Sequence, residues 1–202
     1  MAVHPYDGQD EAILQCGTRR RWRRLVQFPR DQGGATAVEF TLVAIPFFAL
    51  IFAIIELALM FWTGQELETA VSQVSRRLLT GEARQRYTSP DPKKNTDKFK
   101  QDICGAASLL VDCAKLTIDV RTYGSFANAD TGTAGSSPLQ GGTLNTEGFG
   151  FTQPTGGQIV VVRAVLAYPV IFAGWSNVLA NINGTSERAL TASTAFRTEP
   201  FQ

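Results

Sequence analysis

An uninterrupted apolar run over residues 40–62 constrains this chain more than any other feature of its sequence. The run, FTLVAIPFFALIFAIIELALMFW, contains one charged residue, Glu56, and one proline, Pro46. About 20 helical residues, each rising about 1.5 Å, cross the ~30 Å hydrocarbon core of a bilayer, so the run is long enough to span it. A helix buried in a soluble core would be expected to show a polar face, which this run lacks. The sequence therefore predicts a single-pass membrane protein.

The charges on either side of the run predict its orientation. Residues 63–69, which follow it, carry only Glu66 and Glu68. Arginines cluster before it, and positively charged flanks stay on the cytoplasmic side of a membrane. We therefore expect the N-terminus in the cytoplasm and the rest of the chain outside it. The preceding arginines are Arg19, Arg20, Arg21, Arg23, Arg24 and Arg30.

Composition argues against the common enzyme and nucleic-acid-binding classes. The chain has a single histidine, His4, and a formal net charge of +1. One histidine gives little scope for Ser-His or Cys-His nucleophile chemistry or for a histidine metal site. The sequence has no Gly-rich phosphate loop ending in Lys-Ser/Thr, and its near-neutral charge does not fit nucleic acid. We expect a non-enzymatic protein with no cofactor, no metal site and no nucleic-acid partner.

The junction before the apolar run has the most specific pattern in the chain. Residues 30–40 read RDQGGATAVEF, with Gly33, Gly34 and Ala35 ahead of the apolar stretch. A secretory signal peptide has its small-residue cleavage site after the apolar stretch. A twin-arginine signal also fits poorly, because the apolar stretch is long and rich in leucine and phenylalanine.

The arrangement instead resembles a class III signal, the type that prepilin peptidases cut. Such a leader is basic and ends in glycine, and the mature chain has Glu at its fifth position with an aromatic or apolar residue next. Cutting after Gly34 would make Ala35 the first residue and Glu39 the fifth.

Both ends of the chain are similar to TadE-like pseudopilins of tight-adherence (Flp/Tad) pilus systems. Residues 34–48 read GATAVEFTLVAIPFF, and residues 196–201 read FRTEPF, with Thr198 where Asn is usual. The resemblance implies a pseudopilin or minor pilin that a prepilin peptidase processes and that supports assembly of an adhesive pilus. It implies a bacterial inner-membrane location and three kinds of partner: the peptidase, other Tad pilins and pseudopilins, and the inner-membrane Tad assembly platform. The alternative is an unprocessed, single-pass, membrane-anchored periplasmic envelope protein or scaffold.

Two carboxylates in or near the apolar run need partners, because a charge inside a membrane is unfavourable. Cleavage would free the amino group of Ala35 about one helical turn from Glu39, and Glu39 could also pair with the amine of a neighbouring subunit. The alternative places Glu39 at the lipid headgroups. Glu56 either extends toward water or pairs with a polar group on another Tad component.

The rest of the pattern predicts an α+β, pilin-like fold. Residues 1–34 form the leader, residues 35–80 form one long helix, and residues 82–202 form the extracytoplasmic domain. The outer half of the helix has an apolar stripe on which a small antiparallel sheet would pack, and Gly81 would end the helix. The stripe consists of Leu67, Val71, Val74 and Leu78.

Within the domain, alternating apolar residues predict strands at 115–123, 158–168 and 186–197. A helix capped by Asn95 or Thr96 would precede them, after a loop over 82–95. Residues 169–181 form either a short helix or an apolar loop. The Gly-rich loop 124–157 is either a partner-binding loop or a disordered surface insertion.

Cysteine usage agrees with export. Removal of the leader would remove Cys16 and leave Cys104 and Cys113, and an even pair in an exported domain is typical of a disulfide. In one continuous helix their Cα atoms would lie about 13 Å apart, whereas a disulfide needs less than about 7 Å. A bridge therefore requires the helix to end before Cys113. Two buried free thiols are the alternative, and a metal site lacks further ligands.

Overall fold

The computed structural model describes residues 32–107, 109–131, 136–172, 174 and 176–200. The arginine-rich part of the expected leader and Cys16 lie outside the described residues. The chain divides into two compact units, Met1–Ile51 and Phe52–Gln202. The division falls inside the first helix.

Helix α1 extends over Gln32–Leu79. Its N-terminal bound lies within a few residues of the expected start, and the helix continues through Pro46. Arg76 and Arg77 in the last turn complement the helix dipole. Gly81 follows with a φ of 81°, a left-handed conformation that glycine adopts without strain, so the expected stop is confirmed.

Two further helices follow α1. Helix α2 covers Ala83–Arg86, and helix α3 covers Pro92–Ala106. The expected loop at 82–95 and the cap at Asn95 or Thr96 are therefore wrong. The cap is Asp91, whose side chain accepts a hydrogen bond from the Lys93 amide at 3.0 Å, with Pro92 in the first helical position.

The strands form one antiparallel sheet and one small hairpin. The sheet has the order β1-β4-β5, from β1 (Leu116–Tyr123), β4 (Ile159–Pro169) and β5 (Glu187–Arg197). The hairpin pairs β2 (Leu139–Gln140) with β3 (Thr143–Leu144). All three predicted strands are present, each within one residue of its expected ends, and the α+β fold with a small antiparallel sheet is confirmed.

One core joins the helices and the sheet in the second unit. The α1 stripe of Leu67, Val71, Val74 and Leu78 is buried, as the spacing predicts. It packs with α3 and the inner face of the sheet, where the central strand β4 is buried over nearly all of its length. Three aromatic rings fill the centre, with centroids 5.1–5.8 Å apart: Tyr87, Phe99 and Phe151.

The Gly-rich segment 124–157 contains more structure than its composition indicates. Helix α4 covers Phe126–Thr131, and the β2–β3 hairpin follows. Phe151 is buried and forms an isolated bridge with Val120. A further short helix, α5, covers Ser176–Leu179 between β4 and β5.

Candidate functional site

The expected processing site lies in the first unit, near the start of α1. Gly34 and Ala35 are helical, and Glu39 follows one turn later with an exposed side chain. A Cβ placed on Gly34 would meet no atom within 4 Å. Packing within the described structure therefore does not require glycine at this position, although glycine inside a helix is unfavourable by ~1 kcal/mol relative to alanine.

In the second unit, the Glu56 carboxylate is fully buried and is hydrogen-bonded to the loop that follows β4. Its Oε1 accepts a hydrogen bond from the Ile171 amide at 3.2 Å, and its Oε2 accepts one from the Phe172 amide at 3.1 Å. These amides are consecutive and follow β4, so both point toward the same carboxylate. Hydrogen bonds to an ionised acceptor are stronger than neutral ones, which offsets the unfavourable burial of the charge.

The Tyr168 side chain lies near Glu56, and an aromatic pair joins the same loop to α1. The Phe172 ring stacks on Phe52 with centroids 5.1 Å apart. Thr63 is buried, and its hydroxyl donates to the Leu59 carbonyl of its own helix at 2.8 Å. The buried Tyr168 hydroxyl has no hydrogen bond within the described residues. Burial raises the pKa of Tyr168, and the nearby negative charge of Glu56 raises it further.

The sequence left the partner of Glu56 open between water and another Tad component. In the structure the partners are instead two backbone amides of the same chain, those of Ile171 and Phe172. The carboxylate lies 115 residues before Ile171. No sequence signal could have identified this contact, because the donors are backbone amides that every residue except proline carries.

A half-buried carboxylate, Asp102 on α3, connects three side chains. Arg86 donates two hydrogen bonds to it, and the Tyr87 hydroxyl donates one at 2.7 Å. Nη1 of Arg77 lies 3.0 Å from Oδ2, close enough for an ion pair although not aligned as a hydrogen bond.

The titration of this cluster follows from its contacts. Burial alone would raise the pKa of Asp102, but the hydrogen bonds from Arg86 and Tyr87 and the charge of Arg77 lower it to about 2. Burial, together with the Asp102 hydrogen bond, raises the pKa of Tyr87. The hydrogen bond to Asp102 is also the main reason that the pKa of Arg86 is raised.

A third polar cluster attaches the segment before β4 to the sheet. Arg163 on β4 donates to Asp119 on β1 at 2.8 Å and to the Ser136 carbonyl at 2.9 Å, and its guanidinium lies over the Phe149 ring. Arg121 bonds both Asp119 and the Gly148 carbonyl. The cluster borders a small cavity of about 160 Å³.

The two cysteines of the domain lie together. Helix α3 ends at Ala106, the chain turns back, and the Cα atoms of Cys104 and Cys113 are 6.0 Å apart with the sulfurs joined. The helix thus ends before Cys113, as a bridge between the two residues requires. Among the described residues, no group of three or more His, Cys, Asp or Glu side chains is placed to hold a metal ion.

The C-terminal motif is hydrogen-bonded to the end of α1. Thr198 is buried, and its hydroxyl donates to the Thr155 carbonyl at 2.7 Å. The Glu199 amide donates to the Leu79 carbonyl at 3.0 Å, which satisfies one of the carbonyl groups left open where the helix ends.

The fold and these sites define a class of protein. Within the described part of the chain, one helix, Gly34–Leu79, is long and apolar enough to cross a membrane, and an α+β domain packs on its later turns. Residues 34–76 match the model of the family described as TadE-like protein, so this part of the chain is TadE-like and the resemblance is confirmed. Searches of curated proteins and of solved structures found no match.

Proposed function

We propose that this chain is a pseudopilin or minor pilin that supports assembly of a Tad-type adhesive pilus. The observation that carries the proposal is the TadE-like match over residues 34–76, which starts at the glycine expected to end the leader. The role is structural: the chain works with other Tad pilins and pseudopilins and with the inner-membrane Tad assembly platform.

In this proposal a prepilin peptidase cuts between Gly34 and Ala35. Two features support the site. The described structure gives no steric reason for glycine at position 34, so recognition by another protein is a sufficient reason for it. Glu39 is exposed, and it would lie one helical turn from the new amino group of Ala35.

The proposal also assigns a location. The chain crosses the bacterial inner membrane once, with its leader in the cytoplasm and its domain in the periplasm. The apolar helix and the arginines that precede it support this orientation. A bridge between Cys104 and Cys113 fits an oxidising compartment.

The test is the N-terminus of the mature protein, determined by mass spectrometry in strains with and without an active prepilin peptidase. We expect the chain to begin at Ala35 in the first strain and to keep its leader in the second. Gly34→Leu should block cleavage. Gly64→Leu is the matched control, since Gly64 also lies in α1 with open space around it.

An intact leader in the strain with active peptidase would contradict the proposal. It would favour the unprocessed, membrane-anchored envelope protein instead. A processed chain whose deletion leaves pilus assembly unchanged would contradict the assembly role separately.

A further inference from the structure

The loop that is hydrogen-bonded to Glu56 lies beside turns of α1 that are otherwise apolar. Its Phe172 ring contacts Phe52, which precedes Trp62, the last residue of the apolar run, by ten residues. Ten helical residues extend about 15 Å, which is half of the ~30 Å hydrocarbon core of a bilayer. If α1 spans a membrane, the part of the loop at Phe172 lies well inside the apolar run and not above it.

The loop has the exposed surface expected of a lipid contact. Ile171 is 59% exposed, although it lies beside the buried Glu56. A second loop, the turn between Cys104 and Cys113, lies near Ile171. Its Leu109 is fully exposed, and its Leu110 is partly exposed. Ile171, Leu109 and Leu110 border one cavity of about 200 Å³ together with Leu59 of α1.

The apolar run of α1 is also exposed at this level of the helix. Three large side chains on its later apolar turns are between half and three-quarters exposed: Leu57, Phe61 and Trp62. Aromatic residues such as Trp62 are enriched where a membrane helix meets water. The exposed Asp112 borders the same cavity, and Lys115, three residues further on, forms an ion pair with Glu187.

The backbone N–H groups of the first loop are hydrogen-bonded within the protein. Non-helical backbone at membrane depth requires its polar groups to be paired within the protein. The Val170 amide donates to the Ser186 carbonyl at 2.9 Å, and the Ile171 and Phe172 amides donate to Glu56. All three consecutive donors are thus satisfied, which explains why a carboxylate occurs in an otherwise apolar helix.

We propose that the loop 170–172 and the turn at Leu109 and Leu110 insert into the outer leaflet of the membrane, so that the domain rests on lipid around the exit of α1. The inference rests on α1 spanning the membrane, as the proposed function requires. Lipid is the occupant because both loops lie beside the apolar run of the spanning helix, where the exposed side chains of α1 are themselves apolar.

The test is depth-dependent fluorescence quenching. Single cysteines replace Leu109 or Ile171 in full-length protein that also carries Cys16→Ser, and they are labelled with an environment-sensitive fluorophore without reduction. The protein is reconstituted into phosphatidylethanolamine–phosphatidylglycerol vesicles that contain lipids with nitroxides on their acyl chains. We expect several-fold stronger quenching by these lipids than by aqueous iodide at both positions.

Two control positions separate the possible outcomes. Glu199→Cys lies beside the end of α1, twenty residues and about 30 Å beyond Leu59, and should be quenched by iodide alone. Ile45→Cys lies within the apolar run and should be quenched by lipid. If the label at Ile45 is quenched by lipid but the label at Ile171 is quenched only by iodide, as at Glu199, the proposed lipid contact of the loop is wrong. The membrane-spanning role of α1 is then still supported.

If Ile45 is not quenched by lipid either, the anchor fails and the inference fails with it. A third result would also overturn the inference: protection of Ile171 from both quenchers, with cross-linking of its cysteine to a second copy. That result would assign the surface to a protein interface.

Discussion

Glu56 accepts a hydrogen bond from the backbone amide of Phe172 at 3.1 Å, across 116 residues of sequence. A second bond, from the Ile171 amide, uses the other carboxylate oxygen. The pair fixes the loop after β4 to α1 at a level where the helix is otherwise apolar. One carboxylate thus joins the later turns of the anchor helix to the domain.

Replacement of Glu56 should destabilise the domain. Glu56→Leu leaves the part-buried amides of Ile171 and Phe172 without acceptors, at about 1–3 kcal/mol each, so we expect the free energy of unfolding to fall by roughly 2–5 kcal/mol. Glu56→Gln retains one acceptor and should lose less. Denaturation in detergent measures the change, and hydrogen exchange at Ile171 and Phe172 localises it. Glu68→Leu, an exposed carboxylate on the same helix, is the control; an equal loss in the control would refute the assignment.

The Asp102 cluster should make stability depend on acid pH. The pKa of Asp102 is lowered from 3.8 to about 2, so its contribution is fully present above pH ~4 and is lost as pH falls toward 2. Solvent screens the half-exposed arginines, so we expect a contribution of about 1–2 kcal/mol. Asp102→Asn should remove this dependence between pH 4 and 2 in denaturation curves. Asp97→Asn, an exposed position on the same helix, should keep it.

The bridge between Cys104 and Cys113 should be present in protein recovered from membranes. Closure of this loop stabilises by roughly 2–3 kcal/mol in the chain-entropy model, so Cys104→Ser with Cys113→Ser should lower the melting temperature. Thiol labelling of the unreduced, denatured mature protein should find no free cysteine. Two reactive thiols per chain would show that the bridge does not form.

Glu39 should be needed for assembly but not for insertion or processing. One carboxylate near the start of the apolar run adds at most a few kcal/mol to the free energy of insertion, and the proposed cleavage site is the Gly34–Ala35 bond, not Glu39. A neighbour's amino terminus in a low-dielectric helix bundle needs a counter-charge, and leaving it unpaired is unfavourable by several kcal/mol. Glu39→Gln removes the charge and keeps the size, so it should abolish co-purification with pilin partners.

Three readouts in one strain check the Glu39 prediction: the gel shift on processing, membrane fractionation, and co-purification. Normal assembly of Glu39→Gln would refute the pairing role. A failure of processing would place Glu39 in peptidase recognition instead.

Elements with a strong internal pattern were predictable. The stripe from Leu67 to Leu78 and the alternation in the three sheet strands are repeated signals, and each follows directly from which side of an element is buried. The start of α3 was predicted four or five residues late, since its cap is Asp91. Asn95 looked like a cap but is buried, where its side chain pairs with the backbone of Ser89.

Elements without such a pattern were not predictable. The short pieces within 124–157 have no periodicity of their own and are positioned by distant groups. Phe151 forms a backbone bridge with Val120. Arg163 donates a hydrogen bond to the Ser136 carbonyl, and Arg121 donates one to the Gly148 carbonyl. Each contact depends on where the sheet places its partner, which no local stretch of sequence specifies.

The sequence by itself determined the apolar helix, the α+β order of elements and the TadE-like segment, because these depend on composition and spacing within short windows. The tertiary structure alone decided the partner of Glu56 and the position of the loop at Ile171. The physical reason is that these features are contacts between a side chain and backbone amides more than a hundred residues away. Every residue except proline carries such an amide, so only the packed chain selects which of them meets the carboxylate.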